Sequence, residues 1–208
     1  MKIFGNPMST CTRKVLTTLA EKQAKYDFVV IDLMKGGHKA PEYMAAHQPF
    51  GQVPALEDGD FKLYESRAMM RYIDEVVPGQ ALTPRNPKDR ALMEQWISVE
   101  ASNFSPHAMA IAVEYMFVPM RGGKTDLDKV EQAKAKLAPT LAVLDRALAR
   151  GPHLLGDAFT LADIVYMPEL AYALQTPAKD MILSHANVAA WWKRNSERGS
   201  WKKVTAPA

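Results

Sequence analysis

Phe50-Gly51-Gln52-Val53-Pro54-Ala55, followed ten residues after Ala55 by Glu65-Ser66-Arg67-Ala68, is the stretch on which the reading of this chain turns. The first piece sets a Val-Pro bond just ahead of a short apolar run. The second puts an acidic residue and a hydroxyl at the start of a helical pattern, where unpaired backbone N–H groups favour an anion. Between them, residues 53–56 and 61–64 read as strands parted by the turn Glu57-Asp58-Gly59-Asp60, a hairpin connection. A backbone edge and a helix N-terminus are thus set to face one small, peptide-like, anionic ligand.

Upstream, residues 2–5 and 27–33 are rich in β-branched and aromatic side chains and read as strands. Val15, Leu16, Leu19 and Ala20 lie between them at helical spacing. Strand, helix, strand implies a βαβ unit with a parallel pair. A short helix over 41–46 and another over 65–77 complete the order β-α-β-α-β-β-α. That order predicts an α/β thioredoxin-like N-terminal domain over residues 1–78.

Downstream, Pro78-Gly79, Pro84 and Pro87 give residues 79–87 the composition of a linker. From residue 88 on, the pattern is helical. A long helix is expected over 88–118, bent at Pro106, where a backbone donor is missing. It should end at Pro119 and Gly122-Gly123. A second, amphipathic helix carries Val130, Ala133, Leu137, Leu141, Leu144 and Leu148. In Phe159-Thr160-Leu161-Ala162-Asp163-Ile164, Thr160 is positioned as an N-cap and Asp163 as its capping-box partner. The last expected helix starts near Asn187 and includes Trp191-Trp192. An all-α C-terminal domain, residues 88–208, therefore follows the linker.

Composition narrows the function classes. Hydrophobic residues make up 48% and charged residues 24%, which suits a soluble globular chain. The net charge of +3 is spread along the sequence with no basic stripe, so no nucleic-acid partner is expected. No apolar run reaches the roughly 18 residues of a membrane span, and the N-terminus has no signal-peptide core. Cys11 is the single cysteine, so no internal disulfide forms and a reducing cytosol is the expected location. His47, His107, His153 and His185 show no metal-ligand spacing, and no metal is expected.

Several residues carry candidate chemistry. Ser9 lies between strand one and helix one, where its hydroxyl can cap the helix or point at a ligand. Cys11 sits near the same helix end, where a thiolate is favoured, and Thr10 is a second hydroxyl. There is no C-x-x-C pair. Ser66 can cap its own helix or bind a carboxylate there, and Glu65 can pair with an ammonium group. His38-Lys39 follows Gly36-Gly37 in what reads, taken alone, as solvated surface. Met109, Val113, Met116 and Phe117 share one face of the long helix, a stripe compatible with core or with a ligand wall.

The run from Phe50 through Leu56-Glu57-Asp58-Gly59-Asp60, with Tyr64-Glu65-Ser66-Arg67-Ala68, resembles the glutathione transferases, and among them the phi class. The pieces WISVEASNF, VPMRGGKTD, FTLADI and AWWKR, in that order, extend the resemblance over nearly the whole chain. It implies a glutathione transferase fold and a glutathione co-substrate. It implies that Ser9 donates a hydrogen bond to the glutathione sulfur and stabilises its thiolate. It assigns His38, Lys39, Gln52, Val53, Glu65 and Ser66 to glutathione, with a cis bond at Val53-Pro54 turning the Val53 backbone toward it. Met8, Leu33, Val113 and Phe117 match positions that line the pocket for an apolar electrophile. Arg13 and Arg67 read as structural charges. A cytoplasmic homodimer that detoxifies electrophiles is implied as well. The alternatives are a glutathione-dependent peroxidase or thiol transferase working through Cys11, and a non-catalytic ligand-binding protein.

Overall fold

Four strands and eleven helices appear in the computed structural model, which describes residues 1–206. The chain divides into two compact units. The first is Met1–Leu82 joined by the chain from Arg198 onward, and the second is Thr83–Glu197. The segment from Arg198, expected within the helical domain, therefore clusters with the first unit.

The first unit opens with β1 (Lys2–Gly5), α1 (Thr10–Glu21) and β2 (Asp27–Val30). β1 and β2 pair in parallel, as the βαβ reading requires. A 3-10 turn at Gly37–Lys39 and α2 (Pro41–Ala46) lead to β3 (Ala55–Asp58) and β4 (Phe61–Tyr64). These two form an antiparallel hairpin closed by Gly59-Asp60, with Gly59 at φ +61°. α3 (Ser66–Val76) follows. The strand order is β2-β1-β3-β4, with β3 antiparallel to β1. This is the thioredoxin-like arrangement that the element order predicts.

Strand alternation sorts the core. Phe4 and Ala55, paired across β1 and β3, pack with Tyr43 of α2 and with Ile31, Ala40 and Val53. Their neighbours Ile3 and Leu56 point to the opposite face and are fully buried. α1 packs against α3, burying Val15 and Leu19 with Met69, Met70 and Ile73. The last helix of this unit, α11 (Gly199–Thr205), lies against α1 with Trp201 buried.

A forked ion pair fastens that helix. Arg198 donates from Nε and Nη2 to the two carboxylate oxygens of Glu21, each at 2.8 Å, and the Ser200 hydroxyl donates to the same carboxylate. Bidentate geometry and partial burial make such a pair stronger than an exposed one. Glu21→Ala is expected to cost about 1–2 kcal/mol. The measurement is urea unfolding, accompanied by faster proteolytic release of the segment from Arg198.

The second unit is helical: α4 (Pro87–Val99), α5 (Ser105–Ala112), α6 (Val118–Met120), α7 (Leu127–Leu148), α8 (Leu161–Ala173), α9 (Lys179–Leu183) and α10 (Ala186–Ser196). α4, α5 and α6 form one run joined by two π-helical turns, Glu100–Phe104 and Val113–Phe117. Each turn ends two residues before a proline, Pro106 and Pro119. Proline cannot donate to the carbonyl four residues back and collides with it. A wider π turn just upstream relieves that conflict, so the helix continues through Pro106.

The expected capping box is present at α8. Thr160 Oγ1 accepts from the Ala162 N–H at 3.3 Å, and Asp163 Oδ2 accepts from the Thr160 N–H at 3.0 Å. Asp163 does more than cap. Its Oδ1 also accepts from the Leu154 N–H at 3.1 Å and from the Trp191 indole at 2.8 Å. The carboxylate therefore ties α10 and the 151–158 loop to the start of α8. No helix among the described residues is long and apolar enough to cross a membrane.

Candidate active site

Sheet direction gathers the candidate residues. The C-terminal ends of β1, β2 and β4 and the N-terminal end of β3 all lie on one edge of the sheet. From that edge emerge the segments carrying Ser9, Leu33 with His38-Lys39, Gln52-Val53, and Glu65-Ser66. The register makes it specific: Gly5 pairs with Val30, Phe4 with Ala55, and Ala55 with Tyr64. Ligands of sheets with this kind of parallel core bind where strand ends and helix N-termini meet.

Ser9 is the N-cap of α1, and its Oγ accepts from the Thr12 N–H at 3.2 Å. The cap uses an oxygen lone pair and leaves the hydroxyl hydrogen available to a second partner. Capping and ligand contact, alternatives in the sequence, are thus compatible. The loop that carries Ser9 is braced on both sides. Asn6 Nδ2 donates to the Ile31 carbonyl at 2.9 Å and Asn6 Oδ1 accepts from the Met8 N–H. Arg13 Nε donates to the Pro7 carbonyl at 2.7 Å, which gives Arg13 the structural role expected of it. Gly5 is required for this closeness, because a Cβ there would stand 2.7 Å from Thr12 Cγ2. Thr10 is buried, whereas Cys11 is half-buried in the first turn of α1.

The Val53-Pro54 peptide is cis. Among the described residues, the Val53 N–H and C=O have no hydrogen-bond partner. Gln52, in contrast, is held on all sides. Its N–H donates to Gln48 Oε1 at 3.2 Å, and its carbonyl accepts from the Tyr43 hydroxyl at 2.8 Å. Its side-chain oxygen lies 3.4 Å from Gln48 Nε2.

Gly51, at φ +61°, lets this loop lie on the His38-Lys39 turn, since a Cβ there would stand 2.9 Å from the His38 carbonyl. Lys39 Nζ donates to the Phe50 carbonyl at 3.0 Å. The structure therefore brings His38, Lys39 and Gln52 into one loop cluster.

Ser66, a candidate cap in the sequence, is the first residue of α3, and the N-cap position falls to Glu65. Its side chain makes no cap hydrogen bond, and its backbone holds φ +70°, a region non-glycine residues rarely occupy. Such strain concentrates at binding sites. The first N–H groups of α3, beginning with that of buried Ser66, lack intrahelical partners by geometry and keep their pull on an anion.

The apolar candidates fall in both units. Met8 is exposed and Leu33 half-buried in the first. Val113 and Phe117 open and close the second π turn of the second unit, Val113 exposed and Phe117 edge-on to Tyr172 with ring centroids 5.5 Å apart. Sequence reasoning missed Tyr43, Gln48 and Asn6. Their polar groups bond to backbone across turns, a relation that neither helical nor strand periodicity reveals.

Family models agree with this division. The glutathione S-transferase N-terminal domain matches residues 1–75, and the C-terminal domain matches residues 104–198. A glutathione S-transferase of Silene vulgaris is 42% identical over 99% of this chain and 97% of its own length. The crystal structure of glutathione transferase F7 from Populus trichocarpa superposes with a TM-score of 0.92 at 37% identity, covering 98% of this chain and 96% of that one. Glutathione S-transferase I from maize, solved with an atrazine glutathione conjugate, gives a TM-score of 0.90 at 34% identity, covering 99% of this chain and 96% of that one.

Proposed function

Because this chain belongs to the glutathione S-transferase family, we propose that Ser9 stabilises a bound glutathione thiolate, which then attacks an electrophilic carbon of an apolar substrate. The observation that carries this reading is the convergence, on one sheet edge, of the Ser9 hydroxyl, the unpaired Val53 backbone and the uncapped start of α3.

The energetics suffice without a histidine base. A free thiol has a pKa of about 8.5. Lowering it by about 2 units requires about 2.7 kcal/mol. A hydrogen bond to a charged group supplies roughly 1.5–3 kcal/mol, and the N-terminus of α1 adds roughly 0.3–1 kcal/mol. The Thr12 N–H polarises Ser9 Oγ, whose own O–H then donates to the sulfur. The thiol proton leaves to solvent. The sulfur forms the new C–S bond as the leaving group departs with its electron pair, or, in conjugate addition, as the adjacent carbanion takes a proton from water.

The remaining residues hold the tripeptide. The Val53 N–H and C=O pair with its cysteinyl backbone as an added strand. Ser66 and the N-terminus of α3 bind the γ-glutamyl carboxylate. Glu65 pairs with the ammonium group, His38 and Lys39 with the glycine carboxylate, and the Gln52 side chain adds a further contact. Met8 and Leu33, in loops of the first unit beside the glutathione positions, offer apolar contact to the electrophile. The atrazine glutathione conjugate in the maize relative supports conjugation of glutathione to a small electrophile. The protein acts in cytoplasmic detoxification as a homodimer. Exposed Phe50, Phe61 and Tyr64 support that assembly, and light scattering tests it.

The test is glutathione conjugation to a panel of halogenated aromatic electrophiles, with the wild type and Cys11→Ala compared. The expected result is turnover, with the variant within about twofold of wild type, as for a change that removes no stabilising contact. Loss of activity in Cys11→Ala would assign the chemistry to thiol transfer. Glutathione binding without turnover would make the protein a carrier.

A further inference from the structure

We infer that Tyr43 and Gln48 are positioning residues that set Gln52, and through it the Val53 backbone, before glutathione arrives. The inference rests on the proposed assignment of Val53 to glutathione. Its ground is the geometry around Gln52, the residue immediately before Val53. Three groups hold it: the Tyr43 hydroxyl on its carbonyl at 2.8 Å, Gln48 Oε1 on its N–H at 3.2 Å, and Gln48 Nε2 near its side-chain oxygen at 3.4 Å. Gln48 Oε1 also accepts from the Phe50 N–H at 2.7 Å, so one amide spans the turn from 50 to 52.

Both anchors are themselves fixed. Tyr43 is 6% exposed and belongs to the Phe4–Ala55 cluster beneath the site, and Gln48 is 2% exposed. The His47 ring stacks on Phe4 with centroids 3.9 Å apart, and its Nδ1 lies 3.1 Å from Glu57 Oε1. Lys62 Nζ donates to the Ala46 carbonyl at 2.9 Å. α2 is thereby pinned to β1, β3 and β4, and it carries the Tyr43 hydroxyl as a rigid arm. Burial raises the Tyr43 phenol to about 12, which keeps it a donor throughout the working pH range.

Holding Gln52 this way spares glutathione the cost of ordering the edge that it pairs with. The contact is the same in ground state and transition state, so it acts on KM rather than kcat.

The experiment is Tyr43→Phe, which removes one oxygen and keeps the ring. KM and Kd for glutathione are expected to rise roughly fivefold to tenfold, the worth of one hydrogen bond. The kcat at saturating glutathione and the KM for the electrophile should stay within about twofold. Gln48→Met, of similar length, is expected to raise glutathione KM at least as much. An unchanged glutathione Kd in a folded Tyr43→Phe overturns the inference, as does an equal fall in kcat with unchanged KM. Calorimetric titration of the wild type with glutathione separates the two levels. If the wild type does not bind glutathione, the proposed function fails. If it binds and Tyr43→Phe binds equally well, only the positioning role fails.

Discussion

Ser9→Ala is expected to lower kcat/KM about a hundredfold and to return the bound glutathione thiol to within about one unit of its free pKa. The variant removes one donor aimed at a developing negative charge, and such donors typically supply this much. Ultraviolet titration of the bound thiolate is the direct readout, with wild type and variant compared at saturating glutathione. The cap is lost too, because Ser9 Oγ accepts from the Thr12 N–H, at a cost of about 1 kcal/mol of stability. Ser9→Asn separates the two roles, since an asparagine caps as well as serine but places no hydroxyl at the sulfur. It should keep stability and still lose activity. Full activity in Ser9→Ala would remove serine activation altogether.

Asp163→Ala is expected to destabilise the protein by at least roughly 3 kcal/mol at pH 7, read as a lower urea midpoint. Three N–H donors, from Leu154, Thr160 and Trp191, would lose their acceptor in a fully buried place, and each such loss costs about 1–3 kcal/mol. The pH dependence adds a signature. Burial raises the Asp163 carboxyl from its ordinary value to about 6, and the hydrogen bonds from Trp191, Thr160 and Leu154 only partly oppose that rise. The His153 ring faces the same carboxylate, with Nδ1 3.7 Å from Oδ1.

The folded protein therefore keeps this proton where the unfolded chain, with a pKa near 3.9, has released it. The stabilisation from the proton is full below about pH 4, declines as pH rises through about 6, and is gone above. Between pH 7 and pH 5 the gap between wild type and Asp163→Ala should widen by about 1 kcal/mol. A gap that narrows over this window would contradict the assignment.

Much of this architecture is written in local patterns. The βαβ unit follows from apolar spacing in α1, and the capping box at Thr160 from two residue types three apart. Boundaries shift where a polar group intervenes. The second strand was expected to reach residue 33 but stops at Val30. Asp32 Oδ1 accepts from the Met34 and Lys35 N–H groups and turns the chain. The third strand begins at Ala55 rather than Val53, since Pro54 has no N–H to offer the ladder.

At Pro106, where a bend is expected, a π turn over Glu100–Phe104 accommodates the proline's missing donor and its clash. α11 is not legible in the sequence because Gly199 and two lysines mask a helix whose one buried side chain is Trp201. In the candidate site, the hydroxyls and charges at helix starts that are proposed to meet glutathione are legible as residue types. The groups that hold them, Asn6, Tyr43 and Gln48, are not, because their bonds run to backbone in turns.

The fork between Arg198 and Glu21 has a consequence for the order of events at the ribosome. The first unit is interrupted, and all of Thr83–Glu197 is synthesised before Arg198 and Trp201 can dock on α1. A nascent chain that has completed only its sheet still lacks the helix that covers α1, while the helical unit emerging next already has its own core. Vectorial synthesis lets that inner unit form its own core before the outer unit is closed. Maturation of the unit that appears first thus waits on the unit that appears second.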